Sequence, residues 1–198
     1  LHKKIGWSLA FLVIAFNFKL QTLVFMPVVG LLLMPQYLQR FSFALTVKLL
    51  VVVAGTQLIM VFPFLVKGRI TGVWDVLTGY VGHYPYISMA AFNFWFLAIP
   101  GDPEHHAHFP DNTVCGGLTL NSWGYLLFFL SLFLIVFPVL KNYSQHYVKG
   151  IRLDFPLEKV FLLSALTASV FFYFNTQMHE RSFHPALVSL AAYTFLTN

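Results

Sequence analysis

The chain has 198 residues, of which 58% are hydrophobic, 18% aromatic and 10% charged, with a mean hydropathy of +0.73 and a formal net charge of +5. A water-soluble domain of this length needs a far more charged surface, so the composition reads as an integral membrane protein. The 12 bases are spread along the chain rather than gathered in a stripe, which argues against nucleic acid, and the single cysteine, Cys115, excludes an intrachain disulfide or a thiolate metal centre.

Residues 5–16 form a short apolar run that follows Lys3 and Lys4 and closes on the polar knot Asn17-Phe18-Lys19-Leu20-Gln21. Residues 22–34, with Pro27 and Gly30 inside, make the second arm of a helical hairpin that carries Lys19 at its tip. After a polar turn, residues 41–65 are long enough to cross a bilayer, for which about 20 apolar residues are needed. The stretch 66–121 holds no long apolar run. Within it, 70–81 has the pattern of an amphipathic helix lying in the interface, 87–99 reads as a re-entrant or surface helix, and 100–112 reads as a polar loop punctuated by Gly and Pro.

Asn121 or Ser122 caps a fourth span over 123–140, residues 141–159 form a polar link, 160–174 is a fifth span, and Pro185 opens a sixth helix. The expected fold is therefore all-α, a multi-pass transmembrane helical bundle. Three helices lie in 1–65, a long outer-face loop with amphipathic or re-entrant helices in 66–121, and three further helices in 122–198. The last of these stops at Asn198 inside an apolar run.

Orientation follows from the bases. With Lys3 and Lys4 inside and every span crossing, Lys3, Lys4, Arg40, Lys48, Lys141, Lys149, Arg152 and Lys159 fall inside, and Lys19, Lys67, Arg69 and Arg181 fall outside. The positive-inside rule favours that assignment, and it places the Lys19 tip, the aromatic loop and residues 174–185 on the outer face.

Those last residues include His179-Glu180-Arg181 and His184 between two apolar runs. Arg181 offers a planar fork of donors suited to a phosphate or carboxylate. Glu180 can pair with it or act as a base, and the two imidazoles can donate to phosphate oxygens or move protons. The bland alternative is a belt of snorkelling side chains at the headgroup level. Lys19, beside Asn17 and Gln21, is costly unless it reaches water or an anion, and otherwise merely marks the hairpin turn. Glu104, His105, His106 and His108 are metal-ligand types, but His-Xaa-His in a flexible loop lacks fixed geometry, so a solvated loop and no metal site are expected. Asp102 and Asp111 carry less weight still. The chain has no Walker-type phosphate loop, no run of intramembrane carboxylates and no paired acids, which argues against an ATP-driven pump or a proton-coupled carrier.

Taken in order, Asn17-Phe18-Lys19-Leu20-Gln21, then Tyr84-Pro85-Tyr86-Ile87-Ser88-Met89-Ala90-Ala91-Phe92-Asn93-Phe94-Trp95, then Met178-His179-Glu180-Arg181 before a Pro-led apolar helix, the chain resembles the C-terminal half of GT-C-type glycosyltransferases. It is similar above all to dolichyl-phosphate-glucose-dependent glucosyltransferases and bacterial mannosyltransferase-like relatives. The resemblance implies transfer of a hexose from a polyprenyl-phosphate sugar to a glycan, lipid or protein acceptor, on the lumenal face of the endoplasmic reticulum or the periplasmic face of a bacterial inner membrane. No cofactor is implied, and metal at most loosely assists. By the resemblance, Lys19, His179 and Arg181 face the donor phosphate with Glu180 orienting them, and Tyr86, Asn93 and Trp95 line the cavity for sugar or acceptor. The family's catalytic acid sits in a first external loop near the N-terminus, which this chain lacks, so it is expected upstream on a longer protein. Asp75 and Glu104 are left without that role. The rival readings are a transporter or flippase of a lipid-linked substrate and a non-catalytic subunit of a membrane complex.

Overall fold

A computed structural model describes residues 2–38, 42–79, 84–148 and 156–198. The fold is all-α, with strand pairs of two residues each between its helices, and it divides into two compact units, Leu1–His83 and Tyr84–Asn198.

In the first unit, α1 (His2–Phe18) ends where Lys19 takes an extended backbone, and a 3-10 turn over Leu20–Phe25 leads into α2 (Met26–Leu38). Ser42 caps α3 (Phe43–Val66), its hydroxyl accepting from the Leu45 amide at 3.1 Å. α1 packs along α3, and their polar contact is reciprocal: Asn17 Nδ2 donates to Gln57 Oε1 at 2.7 Å while Gln57 Nε2 donates to Asn17 Oδ1 at 3.2 Å. Two amides that would each be costly in lipid thus satisfy one another. Gly68, at φ +64°, turns the chain into α4 (Ile70–Gly79). Ile70, Trp74 and Val76 of α4 are exposed; residues 80 and 81, the end of the expected segment, lie outside the described residues.

In the second unit, α7 (Leu120–Val148), α8 (Leu157–Phe174) and α9 (His184–Thr197) are joined to a knot of short elements: β1 (Ser88–Met89), α5 (Phe94–Ala98), α6 (Pro103–His108), β2 (Val114–Cys115), β3 (Leu118–Thr119) and β4 (Met178–His179). α8 and α9 pack on one another, and small residues, Ala165, Ala168, Ala186 and Ser189, hold buried positions that allow close approach. Pro185 stands in the first turn of α9, as expected.

Among the described residues, three helices are long and apolar enough to cross a membrane, namely α3, α7 over Leu120–Gln145, and α8. Phe129, Leu130, Phe133, Leu134 and Phe137 of α7 are exposed, a face suited to lipid rather than to a core.

Three expectations change. The stretch 87–99 is not one surface helix, because Ala90 at φ +55° and the Asn93 cap break it into β1 and the five-residue α5. The stretch 100–112 is not open loop but holds α6, which Asp102 caps with an oxygen 2.8 Å from the His105 amide. The link after 140 remains helical to Val148, and residues 149–155 lie outside the described residues.

Candidate functional site

The His-Glu-Arg stretch is held by a knot of three extended segments. Residues 84–90 are the middle one. On one side, Ile87 N donates to Phe109 O at 3.0 Å and Asp111 N to Pro85 O at 3.0 Å, with Tyr86 bridged to Pro110. On the other, Gln177 N donates to Tyr86 O at 2.9 Å, and β1 runs parallel to β4 with Ser88 opposite Met178 and Met89 opposite His179. A parallel pair needs a long crossover, and here α5 to α8 supply it.

Asp111 fastens the knot. It is 4% exposed, and its Oδ2 accepts from Gln177 Nε2 at 2.8 Å, Thr176 Oγ1 at 2.9 Å and Asn121 Nδ2 at 3.0 Å. Asn121 also donates to Thr176 Oγ1 at 2.9 Å, so one carboxylate oxygen joins the loop, the start of α7 and the segment leaving α8. Of the two expected caps, Asn121 gives its side chain to this cluster, and Ser122 lies inside α7 with its amide donating to Thr119 Oγ1 at 3.2 Å. Gln177 sits in the left-handed region at φ +61°, which an L side chain adopts only when its surroundings hold it there.

Gly124 brings α7 against the same segment, since a Cβ there would lie 2.8 Å from Phe174 O. The residues expected to line a sugar cavity divide. Asn93 is 1% exposed, and its side chain accepts from Trp95 N at 3.2 Å and donates to Asn175 O at 3.2 Å. Trp95 is buried with Ile87 and Leu120, and its indole donates to Phe174 O at 2.7 Å. Their polar atoms are thus spent on backbone groups, so both anchor α5 to the end of α8 rather than offer a polar edge to a ligand. Tyr86 is half-buried beside His108, with ring centroids 6.1 Å apart.

His179 is half-buried, its ring edge-on to Tyr84 at 5.6 Å, while Glu180 and Arg181 are exposed on the 3-10 turn Glu180–Phe183 that leads into α9. Among the described residues, Glu180 makes no ion pair with Arg181, so the orienting role expected of it has no counterpart in the side-chain contacts. The turn displays a cation and an anion side by side, with the guanidinium fork open. Lys19 is likewise exposed, in the first unit, whereas His179 and Arg181 belong to the second.

The imidazoles of α6 do not form a ligand cluster. His106 is fully buried against Phe96 and bonds Ile99 O through Nε2 at 2.8 Å, which leaves Nδ1 as a buried acceptor without a partner. His105 and His108 are exposed and, with Glu104, Phe109 and Pro110, border an open cleft of about 280 Å³. Among the described residues, no group of three His, Cys, Asp or Glu side chains is placed to hold a metal ion.

The sequence gives Asp111 little weight. Its neighbours Pro110 and Asn112 signal a turn, but two of its three side-chain partners lie 65 and 66 residues away along the chain and carry no local signature. Comparison with protein families, with curated proteins and with solved structures returns no match for this chain.

Proposed function

We propose that the chain is part of a membrane glycosyltransferase of the GT-C type, which transfers a hexose from a polyprenyl-phosphate sugar to an acceptor on the outer face. The observation that supports this reading is the display of His179 and Arg181. Both stand on an ordered strand-and-turn connection between two apolar helices, one of them long enough to cross a bilayer, with the guanidinium free of any ion pair among the described residues. The leaving group in such a transfer is a phosphate anion. A planar cation presented to that anion stabilises it as its bond to the sugar lengthens, the more so where water is scarce. The imidazole of His179 adds a second donor to the phosphate oxygens. Tyr86 offers an aromatic face to sugar or acceptor.

The test is sugar transfer from labelled polyprenyl-phosphate mannose and glucose in membranes holding the complete protein. Arg181→Ala and His179→Ala are each expected to lower transfer at least tenfold at unchanged protein level, which corresponds to about 1.4 kcal/mol or more of lost stabilisation. Transfer by the native protein that neither variant touches would make the cluster an interfacial anchor. No transfer from either donor would turn the reading toward a carrier of lipid-linked substrates.

A further inference from the structure

We infer that Asp111 is the positioning residue of the anion site: its buried carboxylate clasps Thr176 and Gln177 and thereby sets the register at which His179 and Arg181 are presented. The inference rests on the preceding reading for the identity of the anion, a phosphate carried on a polyprenyl chain. Its geometry stands independently.

A carboxylate buried to 4% exposure is costly unless its charge is met, and here three donors converge on one of its two oxygens. Two of those donors are consecutive residues, Thr176 and Gln177, immediately before β4. Between that clasp and Arg181 lie the two residues of β4 and Glu180, so any rotation of the chain at 177 is carried directly into the guanidinium.

The backbone shows what the clasp does. Gln177 is held at φ +61°, and this left-handed residue bends the chain as it leaves α8 toward the parallel partner of β1. In an L residue that conformation is unfavourable, and the side-chain bond to Asp111 at 2.8 Å together with the amide bond to Tyr86 O at 2.9 Å fixes it from both ends. Asp111 is itself fixed, since its amide donates to Pro85 O and its carbonyl accepts from Asn121 N. Its own position is therefore determined by the loop and by α7, and the segment at 176–177 is what it can hold in place. All three bonds converge on Oδ2, so removing that carboxylate releases Asn121, Thr176 and Gln177 together.

The experiment uses the complete protein in nanodiscs. Gln177→Asn is the decisive variant, because Asn tolerates the left-handed region but is a methylene too short to reach Asp111. Asp111→Ala is the harsher companion and Arg181→Ala the control. Hydrogen exchange over residues 176–181 and binding of polyprenyl phosphate are read on each, beside the thermal midpoint. Faster exchange at 176–181 and binding at least tenfold weaker in Gln177→Asn, with its midpoint within a degree or two of native, would establish the positioning role. Unchanged exchange would overturn it, whatever happens to binding. Faster exchange with native-like binding would also overturn it, since the clasp would then secure the fold and not the anion. If Asp111→Ala fails to accumulate, Gln177→Asn decides alone. Absence of polyprenyl-phosphate binding by the native protein, with no effect of Arg181→Ala, would overturn the preceding functional reading, and the exchange arm would still decide whether Asp111 sets the segment.

Discussion

Replacing Gly124 by Ala tests the closest backbone approach in the second unit. The added Cβ would stand 2.8 Å from Phe174 O, 3.4 Å from Asn175 Cα and 3.5 Å from Thr176 N. Ordinary contact begins near 3.4 Å, and the obstacle is a carbonyl in the main chain, which cannot swing aside like a side chain tip. α7 must therefore retreat by roughly 0.6 Å, and the Asn121 to Thr176 bond, now 2.9 Å, stretches toward the limit of useful hydrogen bonding. Overpacking of this kind costs about 1–3 kcal/mol, and each loosened hydrogen bond adds about 0.5–1.5 kcal/mol. Against this, Ala gains about 1 kcal/mol over Gly in a helix. The loss wins by about 0.5–3.5 kcal/mol. Gly55→Ala in α3 is the matched control, because nothing lies within 4 Å of a Cβ there and the helix gain acts alone. Thermal midpoints followed by tryptophan fluorescence in detergent should fall for Gly124→Ala and rise or hold for Gly55→Ala. If Gly124→Ala matches or exceeds the native midpoint, α7 does not approach the end of α8 as described, and the support drawn from it for the Asp111 cluster goes too.

Two further outcomes follow from the same knot. Asn93→Ala removes a helix cap and leaves Asn175 O unpaired, and Trp95→Phe leaves Phe174 O unpaired; each should cost about 1–3 kcal/mol of stability while shifting donor affinity less than twofold, measured by thermal midpoint beside polyprenyl-phosphate binding. A large affinity loss at native stability would restore the sugar-contact role that the resemblance implies. Cys115 is the sole thiol and is exposed beside the Gly116-Gly117 turn, so a membrane-impermeant maleimide added to sealed cells or vesicles should label it without detergent if the knot faces outward. Labelling that requires permeabilisation would reverse the orientation argued from the bases.

The long apolar runs of α3, α7 and α8 were legible because composition alone identifies a helix that can span lipid. Pro185 was legible as well, since its ring suits the first turn of a helix and little else there. The knot was not. Residues 87–99 look like a surface helix because their apolar content is high, but that content reflects burial of Ile87, Ala91 and Trp95 in a local core, with an asparagine cap dividing the run. His106 was read as solvated because its neighbours are, whereas the helix period turns it alone inward. The aromatic and amide residues between Tyr84 and Trp95 drew notice for a cavity role that the resemblance implies. What the sequence could not say is that Asn93 and Trp95 are special for holding backbone carbonyls from the far end of α8. Asp111 lay beyond reach for the same reason, since a buried acid and a solvated one look alike until their donors are found.

The parallel pairing of β1 with β4 has a consequence for the order of assembly. Asn93 and Asn175, which close the same loop, are 82 residues apart, and both long helices of the second unit lie between them. Contacts of such separation cannot form until the later partner exists, and closing so long a loop carries an entropic cost that local helices avoid. Residues 84–90 can pair with 109–111 early, but during synthesis their other edge, which meets Gln177 and β4, must wait unpaired until α8 has been made. A slow step in biogenesis is expected at that point, and any factor that shields an unpaired strand edge would act there, before His179 and Arg181 come to stand where an anion can meet them.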